Sequence, residues 1–308
     1  MVRLLIRRLL WAIPVVLGVL TLVFFLIHLI PGDPIDLMLG EQAAQADREA
    51  LRKALHLDDP IPAQYGRFLS GMLRGDLGRS LRTGRPVSEM IAARYPATLQ
   101  LAFSALLISL LIAVPIGIYS AVRPNTPADS GALFLSLLGV SIPNFWLGPL
   151  LILLFSIKLD WLPVSGRGGP AALILPALTL GIGMSALLIR MTRSSLLEVV
   201  RKDYVLAARA KGLPERAVIL KHAFPNALIP LFTVVGLQFG ALLTGSIITE
   251  TIFSWPGLGR LTLQAIQSRD YPLVQGCILA ISLTYLFANL LVDLLYAAAD
   301  PRVRLLEE

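Results

Sequence analysis

The stretch IRMTRSSLLEVVRKDYVLAARAKGLPERAVILKHAFPNALIP, Ile189 to Pro230, sets a basic loop between two apolar segments of membrane-crossing character. It carries eight Lys or Arg (Arg190, Arg193, Arg201, Lys202, Arg209, Lys211, Arg216, Lys221) against three acids (Glu198, Asp203, Glu215). A loop so biased belongs on the cytoplasmic side, where Lys and Arg are retained. Its local signals read as two short helices. Ser195 with Glu198 forms a capping box at a helix start. Gly212 ends that helix, because without a Cβ it takes the left-handed conformation freely, and Arg209 and Lys211 lie near the helix's negative end. Pro214 suits the first turn of the next helix. Tyr204, Ala207, Ala208 and Lys211 share one face, on which two alanines leave a low surface that another protein can approach. Spacing alone leaves open a helix lying on the membrane.

Working outward, 56% hydrophobic residues and a mean hydropathy of +0.73 over 308 residues exceed any globular composition, so the working solvent is a bilayer. Six stretches approach the roughly 20 residues that a helix needs to cross. They lie near Leu9 to Ile30, Ala97 to Ala121, Ala132 to Ile157, Leu173 to Ile189, Ala227 to Ile248 and Leu273 to Ala298. The fourth is short and holds Pro176, Gly181 and Gly183, but topology requires it. Arg3, Arg7 and Arg8 hold the N-terminus inside, and an even number of spans then puts the basic loop and the tail with Arg302 and Arg304 inside too. A cleavable signal peptide is the competing reading of the first stretch, which lacks a short apolar region and an A-x-A site.

The expected layout is a cytoplasmic N-terminus and first span (1–30), an external helical insert (31–96), a five-helix membrane core (97–298) with the loop 190–226, and a cytoplasmic tail (299–308). The insert has nine Lys or Arg balanced by nine acids, is too small for a large core of its own, and should pack on the outer ends of the spans.

Motifs exclude several chemistries. No G-x-x-x-x-G-K-[ST] occurs, so nucleotide phosphates have no evident cradle here and any ATP-driven work needs another polypeptide. The three histidines (His28, His56, His222) are scattered without H-E-x-x-H, and no G-x-S-x-G accompanies the serines. The basic residues gather at membrane edges, which speaks for orientation rather than nucleic acid. One cysteine, Cys277, excludes an intrachain disulfide and is read as packing. Charges within the spans reduce to Glu250 and Asp293 near helix ends, which fits structure better than a proton relay. Gly236, Gly240 and Thr244 form a small face; it reads either as a tight helix contact or, with Gln238 and Ser246, as a polar pore wall. In SWPGLGR, Trp255 suits a membrane interface while Pro256 and Gly257 suit a bend.

Ala207, Ala208, three residues, Gly212, then Phe224 and Pro225 resemble the EAA loop of binding-protein-dependent ABC permeases, with Leu206, His222 and Phe224 departing from its pattern of Glu, Ile and Leu. DYVLAARAKGL (Asp203 to Leu213), IPGDP (Ile30 to Pro34), ETIFSWPGLGR (Glu250 to Arg260), RDYPLVQG (Arg269 to Gly276) and NLLVDLLY (Asn289 to Tyr296) resemble the first permease subunit of the dipeptide, oligopeptide and nickel branch. That resemblance implies an all-α type I importer permease of six transmembrane helices in a bacterial or archaeal inner membrane. It implies no enzyme activity and no cofactor in this chain, with ATP and Mg held by partners. Those partners are a second homologous permease, two cytosolic P-loop ATPases and an external solute-binding protein. Residues expected to couple to the ATPase are Asp203, Tyr204, Ala207, Ala208, Arg209, Lys211, Gly212 and Leu213. Gln238, Thr244, Ser246 and Glu250 are expected along the path, and Trp255, Pro256 and Gly257 at an outer gate or docking turn. The implied cargo is dipeptides or short oligopeptides; glutathione, nickel complexes and an ATP-independent carrier are the alternatives.

Overall fold

The computed structural model describes residues 2–29, 35, 44–54 and 56–299. The Ile30–Pro34 motif and the tail with Arg302 and Arg304 lie outside the described residues, as do the side chains of Thr244 and Asp293. Regular structure among the described residues is helical, apart from one isolated bridge between Arg79 and Pro86.

Helix α1, Val2–Leu29, takes up the first apolar stretch, and the insert supplies α2, Gln45–Ala54, and α3, Ile61–Leu73. Then come α4, Val87–Val122, α5, Pro127–Ser141, and α6, Asn144–Leu151, the last prolonged by a π-helical turn, Ile152–Lys158. They are followed by α7, Ala171–Val200, α8, Asp203–Ala210, α9, Phe224–Gly245, α10, Ile247–Ile252, α11, Leu258–Gln267, and α12, Tyr271–Ala299.

By length and apolarity α4, α7 and α12 can each cross a membrane, and among the described residues two bent pairs of helices pass the same test when each pair is taken as one span. The third predicted stretch is bent and not straight: α5 and the helix beginning at Asn144 meet at 101°. The residue before a proline is driven out of the helical region, and Ile142, before Pro143, is extended at φ −87 and ψ 114. The fifth stretch bends by 54° ahead of Pro230.

The fourth stretch is continuous in spite of its glycines, because these are contact points. A Cβ on Gly181 would stand 2.9 Å from the Ala105 carbonyl oxygen of α4, and one on Gly183 would stand 3.1 Å from Asn144 Oδ1. Small residues let membrane helices approach closely, and α7, packed on α5 and α9, is more buried than α4 or α12.

Chain contacts group the residues into two compact units. One is centred on Leu99–Trp255 and takes in the chain from Tyr285 onward. There Gly236 and Gly240 lie against Val292 and Tyr285 of α12, so their small face is a helix contact. The other unit combines Arg7–Thr98 with Pro256–Thr284. Its core joins Val23 of α1, Val87 and Ile91 of α4, Leu258 and Leu261 of α11, and Leu273 and Cys277 of α12. Helix α3 leans on α1 through rings, with Tyr65 and Phe68 at 5.2 and 5.6 Å from Phe24.

Candidate functional site

The basic loop is anchored from beneath. Helix α7 does not stop at the predicted span end but runs on to Val200, so Ser195 and Glu198 lie inside it and form no helix start. Burial overrides the local capping signal here: Leu196 is fully buried and Ser195 nearly so. Glu198 instead faces Lys202 at 3.3 Å. The chain breaks at Lys202, extended at ψ 147, and restarts as α8.

Val205 and Ala208 of α8 are buried in one cluster with Leu196, Ala121, Val218, Ile219 and Ala223. Burying a valine or leucine side chain contributes about 1.5–3 kcal/mol, so this cluster fixes a helix of 8 residues that would not persist alone. The predicted shared face is thereby split. Ala208 turns into the core, while Asp203, Tyr204, Ala207, Lys211 and Leu213 stay exposed, joined by Leu206.

Gly212 has φ +78 and its N–H donates to the Arg209 carbonyl at 2.9 Å, closing α8 in the left-handed conformation. Arg209 then spans the turn: Nε donates to Glu215 Oε2 at 3.1 Å and Nη2 to Oε1 at 2.7 Å. The Arg209 guanidinium holds the Glu215 carboxyl below its usual range. Pro214 occupies the cap position one residue ahead of the Glu215–Ala217 turn.

Beside this loop lies a group that the sequence reading missed. Asp129, 3% exposed, accepts from Arg193 Nε at 2.6 Å, Arg193 Nη2 at 2.7 Å, the Asn125 N–H at 2.8 Å and the Ser120 hydroxyl. The ends of α4, α5 and α7 therefore meet on one carboxylate. Thr126 Oγ1, accepting from the Asp129 N–H at 3.3 Å, caps α5, and this Thr-x-x-Asp spacing was the available signal.

The second candidate region is the α5–α6 bend. A cavity of about 330 Å³ opens there, walled by Ile142, Pro143, Asn144, Gly183, Met184 and Gln238. Gly183 and Gln238 both fall in the middle of apolar stretches, away from the charged ends. Its polar side chains are two neutral amides, Asn144 and Gln238. Ser246 and Glu250 are buried away from solvent, with Ser246 Oγ donating to Glu250 Oε1 at 3.2 Å.

Trp255 does not face out of the protein. It is fully buried, with the Arg167 guanidinium 5.7 Å from its ring centroid and Arg167 Nη2 donating to Gln100 Oε1 at 2.9 Å. Ser254 makes the turn at φ +50, Pro256 is half-buried, and buried Gly257 caps α11.

Bent and straight apolar helices, a neutral cavity and an anchored helix exposed on a basic loop define the class: a membrane transport subunit. Residues 113–305 match the family described as binding-protein-dependent transport system inner membrane component, residues 1–102 match its N-terminal counterpart, and the chain belongs to this family. It is 46% identical over 299 residues to the glutathione transport system permease protein GsiC of Pectobacterium atrosepticum, covering 97% of this chain and 98% of that protein. It is 42% identical to the dipeptide transport system permease protein DppB of Escherichia coli, with 99% of each covered. Among solved structures, an inward-facing form of the MetNI methionine ABC transporter matches with a TM-score of 0.57 at 19% identity, covering 68% of this chain and 96% of that one. An amino acid ABC transporter solved with histidines matches with a TM-score of 0.53 at 21% identity, covering 68% and 94%. The fold is that of the type I importer permeases.

Proposed function

We propose that this chain is one permease subunit of an ATP-driven importer of short peptides, the chemical class that includes both dipeptides and glutathione. It works with a second permease, two cytosolic P-loop ATPases that hold ATP and Mg, and an external solute-binding protein. Both termini and the basic loop face the cytosol. The observation that carries the reading is α8: Val205 and Ala208 root it in the membrane helices, while Tyr204, Leu206 and Ala207 present an apolar surface to a partner. Closure of the ATPase pair then moves the inner helix ends, and ATP shifts the equilibrium by binding the two states with different affinity.

The relatives' named cargoes and the neutral amides of the cavity together support peptides. Amide side chains can pair with peptide N–H and C=O groups without selecting a side-chain charge. Gln238 lines the open part of the path, Ser246 and Glu250 belong to a part packed shut, and the turn from Trp255 to Gly257 forms the outer gate.

The test is reconstitution of the full complex in liposomes with its binding protein, followed by uptake of labelled dipeptides and of glutathione. ATP-dependent accumulation of either supports the reading. Accumulation that continues when the ATPases are omitted would replace it with an ATP-independent carrier, and accumulation of nickel complexes alone would replace the cargo.

A further inference from the structure

The charges of the insert balance in number but not in position. Seven of the nine acids precede Pro60, while six of the nine bases follow it, at Arg67, Arg74, Arg79, Arg82, Arg85 and Arg94. Three of these sit on a small hairpin just before α4. Arg79 and Pro86 pair across it, Ser80 N–H donates to the Arg85 carbonyl at 2.9 Å, and Gly84 N–H donates to the Ser80 carbonyl at 2.9 Å. The hairpin's base is clamped. Buried Asp270 accepts from the Ser80 hydroxyl and, at 3.0 Å, from the Leu81 N–H.

That clamp has an electrostatic consequence. Asp270 is engaged by the hairpin's hydroxyl and backbone, and the hairpin itself contains no acid. Arg79, Arg82 and Arg85 are all exposed. Arg79 binds the Gly84 carbonyl at 3.0 Å, and Arg85 reaches Glu89 only at 3.9 Å in solvent, a weak pair. Among the described residues, Arg82 has no hydrogen bond or ion pair. Beside it opens a cavity of about 370 Å³, walled by Arg82, Thr83, Leu261, Gln264 and Ser268, with the hairpin-bound Asp270 also in its wall.

Helix α4 is 36 residues long and apolar enough to cross a membrane, and the hairpin stands at its start, in the insert that the importer reading places outside. Positive charge carried on an anchored hairpin, beside a cavity of mixed polar and apolar lining, suits an anionic partner.

We propose that the Arg79–Pro86 hairpin and its cavity are a docking socket for an acidic surface loop of the external solute-binding protein. Arg82 takes the carboxylate, and Thr83, Gln264 and Ser268 line the seat. Guanidinium suits this role because its fork matches a carboxylate bidentately. The three arginines together steer the encounter, so association is salt-sensitive. This inference rests on the importer reading.

The test uses the complete transporter in nanodiscs of neutral phosphatidylcholine and measures the binding kinetics of its solute-binding protein at low and high salt. Arg82→Glu should weaken binding by about tenfold or more, chiefly through slower association, and flatten the salt dependence. Arg82→Lys should retain most of that dependence. If Arg82→Glu fails to assemble, Thr83→Asp places a negative charge at the same mouth and carries the same expectation. Unchanged binding and salt slope in these variants, with ATP-driven uptake intact, overturns the socket and leaves the importer standing. Binding that appears only in discs with anionic lipid assigns the hairpin to headgroups and also overturns it. Absence of both uptake and binding in the unaltered complex overturns the importer reading itself.

Discussion

Arg193 holds Asp129 through two parallel hydrogen bonds of 2.6 and 2.7 Å, tying α7 to the start of α5 just before α7 leads to α8. The pair is a root for α8, since whatever pushes on α8 acts through the end of α7. Removing one partner of a buried pair strands the other charge, at a cost of about 3–5 kcal/mol. Asp129→Ala and Arg193→Ala should each sharply lower the melting temperature of the purified complex, and the double variant should recover part of the loss. Thermal unfolding followed by size-exclusion chromatography reads this directly. A single variant as stable as the unaltered chain would show that the pair contributes nothing.

Close approach makes a second prediction. A Cβ on Gly117 would lie 2.6 Å from Thr192 Cβ and 3.0 Å from the Ile189 carbonyl oxygen. Gly117→Leu must therefore part α4 from α7 and should destabilise by about 1–3 kcal/mol, as overpacking does. Gly131, inside α5, meets nothing within 4 Å of such a Cβ. Gly131→Ala should leave the complex as stable, or stabilise it by about 0.5–1 kcal/mol through lost chain entropy. The same melting assay separates the two.

What the sequence revealed and what it hid divide by range. Apolar length located the crossing segments, and glycine at 212 announced a left-handed helix end that the backbone adopts. Pro143 was visible too, but averaging hydropathy across it hid the 101° bend between two helices. Ser195 with Glu198 looked like a helix start because the motif is local, whereas the burial of Leu196 that overrides it is set by other helices. Asp129 showed its cap spacing, but its partner lies 64 residues away, and no local pattern encodes that pairing. Trp255 illustrates the same limit, since an amphipathic ring suits an interface or a core equally and only Arg167 and the loop above it decide.

Acid should loosen the turn that follows α8. Arg209 lowers the Glu215 carboxyl relative to an unfolded chain, so the stabilisation is fully present above the ordinary carboxylate value and is lost as pH falls through the lowered one. Both side chains are partly exposed, at 34% and 53%, which limits the effect to about 1 kcal/mol and makes it salt-sensitive. Glu215→Gln should speed amide exchange at Lys211 to Leu213 by a few-fold at neutral pH. Acidification should bring the unaltered chain's protection toward the variant's; equal protection in both at neutral pH would remove the ion pair from the account.

The cavity's two amides make selectivity testable. Asn144 and Gln238 are its polar side chains, and Asn144 Oδ1 is held over Gly183, where a Cβ would come within 3.1 Å. Gln238→Leu removes the donor and acceptor at nearly constant volume and should lower peptide uptake about tenfold, the scale of a lost hydrogen bond to a polar ligand. Binding-protein affinity should stay unchanged. Uptake equal to the unaltered complex would place the path elsewhere.

Gly212 separates coupling from folding. At φ +78 a β-branched residue is strained, while asparagine tolerates the left-handed region, so Gly212→Val costs about 1–2 kcal/mol and Gly212→Asn much less. No neighbour lies within 4 Å of a Cβ there, so the penalty is conformational and falls on the turn that ends α8 rather than on the core. The Val205 and Ala208 anchor should keep the membrane helices assembled in both variants. Peptide uptake and peptide-stimulated ATPase activity should therefore collapse in Gly212→Val and largely return in Gly212→Asn, at similar melting temperatures. Uptake and stimulation at the unaltered level in Gly212→Val would show that the end of α8 transmits nothing to the ATPase.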